Sequence, residues 1–189
     1  MSGVNDRKYP TRVDGVQVKS YGAWKNMLKR CYNFDFQKKY PTYIGCSTSD
    51  NFFNYSYFHE WCLDQVGYDK KGYHLDKDIL TKGNKVYSED TCVFVPNSLN
   101  QFLVSRVNFR GDNPLGVVFS KKRNLYHARV NDGFGKLKHI GYFENKIDAF
   151  NAYSVEKRTI GLNLSKFYDG CVDSRVIEAL KDVHVDIGD

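Results

Sequence analysis

No two of the five cysteines (Cys31, Cys46, Cys62, Cys92, Cys171) form a C-x-x-C pair, so a zinc ribbon has no ligands to start from. Their number is odd and the N-terminus does not read as a signal peptide, which leads us to expect reduced thiols in a cytosol-like compartment. They read as small hydrophobes. No apolar run reaches the length of a membrane span. Charge is not strongly of one sign either, with a net excess of +6. A chain of 189 residues that is 41% apolar and 26% charged can bury a core, as one domain or two small ones.

The modest excess of positive charge is unevenly spread. Residues 1–110 carry a net +5, residues 111–170 a net +4, and residues 171–189 a net −3. Two basic regions followed by an acidic tail suit a polyanionic partner better than an acidic substrate.

The first half reads as helix, helix and hairpin. In "SYGAWKNMLKRCYN", Trp24, Met27, Leu28 and Cys31 recur at helical spacing, and Ser20 can cap the helix. "SDNFFNYSYFHEWCLDQVG" reads as a second helix, capped by Ser49 or Asp50, with a stripe of Phe53, Tyr57, Phe58, Trp61 and Cys62. Such aromatics can stack bases, but their helical period favours a packed core. "HLDKDILTKGNKVYSEDTCVFVPNSLN" follows, with two strand-like arms around a Lys82-Gly83-Asn84 turn and a helix near 97–104 opened by Pro96. "NFRGDNPLG" has linker composition, which places a boundary near 109–113.

The second half predicts three strands, "GVVFS", "LYHARVN" and "KLKHIGYF", and an amphipathic helix over "ENKIDAFNAYSVEKRTIG" that Gly161 ends. "SRVIEALKDVHV" is a further short helix, with Val176, Leu180 and Val183 on one side. Strand alternation puts His127, Arg129 and Asn131 on one face of the middle strand and Tyr126, Ala128 and Val130 on the other. It sets Leu137 and His139 opposite Lys138 and Ile140 on the third strand. One face of this sheet should pack on the helix. The other is unusually polar, rimmed by Lys121, Lys122, Arg123 and Lys136. Such a face can enter a DNA major groove, or simply meet solvent.

Gly116-Val117, the aromatic-x-Ala unit Tyr126–Ala128, the run Ile140-Gly141-Tyr142-Phe143, and the helix with Ala149, Ala152 and Tyr153 form an ordered set. The set resembles the APETALA/ethylene-response-factor DNA-binding domain over residues 114–163. That resemblance implies that Val118, Ser120, Arg129, Asn131 and His139 face double-stranded DNA, with Lys122 and Arg123 beside them. The plant domains are richer in Arg and Trp at those positions, so their sequence preference does not carry over.

Trp24 to Tyr32, Phe52 to Trp61, and the pattern LD-[basic]-D…GN…YS-x-x-[NT]-C over Leu75–Cys92 resemble the HNH endonuclease finger of bacteriophages and mobile elements, over roughly residues 20–104. The resemblance implies a ββα finger in which Asp76 on the first strand and Asn100 on the helix hold one Mg²⁺ or Mn²⁺, with Asn97 as a substitute. Asp78 shares the Asp76 face and is a further candidate ligand. Two positions depart from the pattern. Lys77 stands where the family has its catalytic His, and an ordinary Lys is protonated near pH 7. Thr91 stands where the family has an Asn that orients the loop. His74, two residues before Asp76, could replace the base, while Lys77 would contact phosphate.

The sequence therefore implies an α+β protein. Residues 1–110 form an HNH-like ββα-metal finger with flanking helices. Residues 111–170 form a three-stranded antiparallel sheet packed on one helix. Residues 171–189 form an acidic helix or tail. The implied activity is a phage-type DNA endonuclease or nickase, akin to homing endonucleases, with catalysis at His74, Asp76 and Lys77. The alternative is a catalytically inactive DNA-binding regulator or blocker. No membrane partner is expected, a homodimer is an option, and the compartment would be the cytoplasm (of the host, if phage-encoded).

Overall fold

A computed structural model describes residues 3–103 and 113–187. Of the boundary expected near 109–113 only Asn113 lies among them, and the expected last residue of the helix at 97–104 lies outside them. The chain is mixed α+β and forms two compact units, one ending at Val95 and the other beginning at Pro96.

In the first unit, strands β1 (Arg12–Val13) and β2 (Val16–Gln17) form a tight hairpin. Helix α1 (Lys19–Tyr32) follows and buries Ser20, Trp24, Met27 and Cys31 on one stripe. Val18, not Ser20, sits at its N-cap. Ser20 is buried as the second residue of the helix, with its hydroxyl 2.7 Å from His59 Nδ1. Helix α2 (Phe34–Lys39), which the sequence pattern did not suggest, starts because Asn33 caps it, its carbonyl accepting from Phe36 N at 2.7 Å. Strand β3 (Ser47–Thr48) comes next. The second expected helix starts later than Asp50: Asn51–Phe53 make a short 3₁₀ turn, and Asn54 caps α3 (Tyr55–Leu63) by accepting from Tyr57 N.

The aromatics of this region are core. Phe52, Tyr55, Phe58 and Cys62 are fully buried with Trp24, Met27, Tyr87 and Phe94. Phe52 meets Trp61 at 4.8 Å and Phe58 edge-on at 5.0 Å. Trp24 donates its indole N–H to the Phe52 carbonyl at 2.8 Å. Each such ring stabilises the fold by about 1.5–3 kcal/mol through burial alone. The stripe differs in detail from the helical expectation, because the 3₁₀ turn swings Phe52 inward in place of Phe53 and leaves Tyr57 40% exposed. Cys31, Cys46, Cys62 and Cys92 are buried free thiols. Burial pushes the Cys31 and Cys92 thiols up to about 12, which leaves them protonated and inert.

Strands β4 (Tyr73–Asp76), β5 (Val86–Tyr87) and β6 (Val93–Pro96) follow, and the first arm of the expected hairpin pairs with the end of the second arm, not with its start. The turn near Gly83 exists, with Asn84 N donating to the Thr81 carbonyl, but β5, the strand directly after it, does not pair with β4. β5 runs parallel to β3, with Ser47 opposite Val86 and Thr48 opposite Tyr87. β4 pairs with β6 instead. The physical reason is local. Asn84 donates from its amide to the carbonyls of both Lys77 and Val86, and Lys77 Nζ donates back to the Asn84 carbonyl at 2.6 Å. The loop is thus closed on itself, and the backbone of β5 is left for β3.

The second unit opens with α4 (Asn97–Leu103), which buries Leu99 and Phe102. Strands β7 (Val117–Ser120), β8 (Leu125–Asn131) and β9 (Leu137–Phe143) form the expected antiparallel sheet in the order β7-β8-β9. Helix α5 (Lys146–Phe167) packs beneath it, capped by Asn145, whose carbonyl accepts from Ile147 N and Asp148 N. Val117, Ala128 and Val130 from the sheet and Ala149, Phe150, Tyr153 and Leu164 from the helix are all buried. Gly116 has φ +77°, and a Cβ there would come within 2.1 Å of the Tyr153 ring, so the strand can lie this close to α5 only through glycine.

Helix α5 does not end at Gly161. It runs on to Phe167, because Gly161 faces helix α6 (Ser174–Lys181), where a Cβ would sit 2.6 Å from the Leu180 carbonyl. The glycine marks a close helix crossing, not a C-cap. The expected acidic tail is this helix, capped by Asp173, with Val176, Leu180 and Val183 buried as the pattern implied.

Candidate functional site

The sheet of the second unit carries the densest polar cluster. Opposite pairs are Val118 with His127, Ser120 with Leu125, and Arg129 with His139. The register slips once: Ala128 faces Gly141 while Arg129 faces His139, so Ile140 is an extra, bulged residue. Simple alternation from His139 would send Tyr142 to the helix side. The bulge restores it to the outer face, opposite His127. The outer face therefore carries Val118, His127, Arg129, His139 and Tyr142 together. Lys138 falls on the other side, where its ammonium meets Glu156 of α5 at 2.7 Å.

These side chains touch. His127 Nε2 lies 2.7 Å from His139 Nδ1, so one imidazole holds the proton and the other accepts it. Tyr142 stacks on His127 at 4.7 Å and 22°, and the Arg123 guanidinium lies over the Tyr142 ring at 4.5 Å. Partial burial, then the nearby His139, Arg129 and Arg123 charges, holds the His127 imidazole below its ordinary range. Tyr142 is 38% exposed, Val118 42% and Leu137 63%, so the face is open.

The expected DNA-facing residues divide in two. Val118, Arg129 and His139 join the outer cluster, and Arg123 reaches it from the β7–β8 turn. Ser120 lies at the end of β7, and its carbonyl holds the Arg123 N–H at 3.1 Å. Lys122 is exposed in that turn. Asn131 is drawn into the next turn, where its side-chain carbonyl accepts from Gly133 N at 2.8 Å. The sequence reading placed His127 on the polar face without using it, and missed Tyr142, because nothing in "KLKHIGYF" announces a bulge.

In the first unit, Asp76 ends β4. Its Oδ1 accepts from the Asp78 and Ile79 N–H groups at 2.9 and 3.0 Å, an Asx turn that folds Asp78 back beside it. Burial first, and then the Asp78 charge, pushes the Asp76 carboxyl up to about 6. Two carboxylates this close in a low dielectric favour either a shared proton or a cation. Lys77 is 5% exposed; its ammonium is held by the Asn84 carbonyl and lies 3.3 Å from Asp78. That burial turns it toward the protein, away from the phosphate contact expected of it. His74 is exposed. Thr91 takes an orienting part through its hydroxyl, which donates to the Val86 carbonyl at 2.7 Å and accepts from Ser88 N.

Asn97 and Asn100 belong to α4 of the second unit. Among the described residues, no three or more His, Cys, Asp and Glu side chains gather as a metal centre would. The first unit offers Asp76 and Asp78, a donor pair of hard oxygens that suits Mg²⁺, which takes one or two carboxylates and fills the rest of its shell with water and phosphate. Among the described residues, no helix is long and apolar enough to cross a membrane. No family model, curated protein or solved structure matches the chain.

Proposed function

We propose that this chain binds double-stranded DNA through the outer face of the β7-β8-β9 sheet and acts on it as a metal-dependent endonuclease or nickase of the phage type. The observation that carries the reading is the outer sheet face itself: Arg123, His127, His139 and Tyr142 contact one another on an open, three-stranded surface, with Arg129 opposite His139 in the strand register. Such a surface fits a major groove, where Arg reads guanine edges and flanking Lys meets phosphate.

The activity rests on Asp76 and Asp78. A bound Mg²⁺ or Mn²⁺ would polarise the phosphoryl group and stabilise the leaving oxygen. Asp76 and Asp78 would hold and orient the cation, their carboxylates able to do so only when deprotonated. His74, exposed two residues away on the same strand, is the side chain suited to take the proton of the attacking water. Incubating supercoiled plasmid with the protein and either cation tests this: relaxed circles supports it, and unaltered plasmid in both cations sinks the catalytic half.

A second reading is favoured by Lys77. The resemblance puts the general base there, and the structure holds a buried ammonium in its place. A DNA-binding regulator or blocker without cleavage would leave the sheet face intact and the plasmid uncut.

A further inference from the structure

Helix α1 carries two stripes. Ser20, Trp24, Met27 and Cys31 are the buried one. One residue earlier in each turn, Lys19, Ala23, Asn26 and Arg30 form a second stripe, which lines a cleft of about 220 Å³ against His74 of β4 and Phe94 of β6. Small residues at Gly22 and Ala23 leave the space open, and the polar groups around it are two cations, an amide and an imidazole.

Neither cation is held in an ion pair among the described residues. Lys19 Nζ donates to the backbone carbonyls of Tyr68 and Lys70 and lies over the Tyr68 and Phe94 rings. Arg30 donates weakly to the Tyr87 hydroxyl at 3.4 Å and lies over the Tyr43 ring. Asp69 acts on Lys19 only at range. Carbonyls and ring faces orient these cations without neutralising them. Leu75 of the cleft lining directly precedes Asp76 in β4, and Arg30 is within electrostatic reach of that carboxyl. A concave, low-dielectric wall with two fixed positive charges concentrates anions.

We propose that this cleft is a phosphate subsite, which seats one backbone phosphodiester of the DNA against Lys19, Asn26, Arg30 and His74, next to Asp76. The inference rests on the DNA-acting reading above and adds a second contact region, on the first unit. It also gives His74 a role that does not depend on catalysis.

The test is an NMR titration of the full-length chain, following the Asn26 side-chain amide, Arg30 Nε–H and the His74 ring, with a short DNA duplex in one arm and inorganic phosphate in the other. Seating of the backbone predicts that the duplex shifts all three signals. Asn26→Asp, an exposed change on the cleft wall, should weaken duplex binding by about tenfold through repulsion of the phosphate. Lys19→Gln should lower the slope of log K against log salt by about 0.9. If the duplex shifts only the His127, His139 and Arg129 signals and Asn26→Asp binds normally, the cleft inference is overturned and the sheet reading stands. If inorganic phosphate shifts the cleft signals and the duplex does not, the cleft takes a free anion and the inference is again overturned. If the duplex shifts nothing anywhere, both readings fall together.

Discussion

Each unit sets two titratable groups of one kind side by side, and the two pairs respond to opposite ends of the problem. Asp76 and Asp78 sit at the end of β4, where burial raises the Asp76 carboxyl to about 6. His127 and His139 face each other across β8 and β9, where partial burial and cationic neighbours lower the His127 imidazole. The shifts differ in sign but agree in physics: each favours the neutral form, because burial penalises charge first and a like-charged neighbour adds to that. On the proposed reading, a cation would relieve the first pair and a polyanion the second.

The sharpest way to break the comparison is to remove one carboxylate. Asp76→Ala should abolish nicking in Mg²⁺ and in Mn²⁺ while duplex affinity, measured in parallel, stays near that of the parent. Nicking that survives in the variant would show that the pair does no chemistry. The next effect is on recognition. Arg129→Ala should cost about 1–3 kcal/mol on a preferred site and little elsewhere, if Arg129 reads a guanine. Lys122→Ala, in the exposed β7–β8 turn, should weaken every sequence alike. Equal losses on all sequences for both variants would show that the outer face does not read bases.

The third prediction concerns stability. Asp76 has a folded pKa above its unfolded one, so the fold favours its protonated form. The sign follows: relative to low pH, stability falls as pH rises from the ordinary carboxyl value of 3.8 through about 6, and the cost is full at neutral pH. Asp76→Asn keeps an oxygen for the Asp78 and Ile79 N–H groups and removes the charge. Without divalent cation at neutral pH, it should therefore be more stable than the parent, by on the order of 1–2 kcal/mol. The gain should vanish below about pH 4 and shrink when Mg²⁺ is added. A variant less stable than the parent at neutral pH would contradict the burial account.

Local signals carried much of this. The stripe Trp24, Met27 and Cys31, the three strands of the second unit and the apolar side of α6 all rest on spacing within one element, and the structure has them. What failed was non-local. Gly83-Asn84 announces a turn but not that Asn84 will tie Lys77 and so release β5 to β3. Gly161 has the composition of a helix end, and only the approach of α6 shows it to be a crossing. The outer face was legible at Arg129 and His139, whose alternation is intact. It was illegible at Tyr142, whose side is set by one bulged residue. The carboxylate pair was named from the sequence, whereas the inward turn of Lys77 depends on where the loop closes.

The smallest expected effect is the pH dependence of DNA binding, and it separates the two pairs most cleanly. At neutral pH the His127 imidazole is neutral, since its pKa lies below the ordinary histidine value of about 6.5. Bound phosphates would favour the protonated form, so binding should take up a proton as the pH is lowered from 7 toward 5. Affinity should rise over that window by a few-fold at fixed salt, and His127→Gln should flatten most of the rise without changing Tyr142 or Arg129. Cleavage should move the other way, because Asp76 protonates through about 6 and loses its hold on the cation. Measured on one preparation, binding and nicking should thus diverge as the solution is acidified. If affinity is flat from pH 7 to 5, or if His127→Gln leaves the rise intact, the histidine pair is not at the DNA surface.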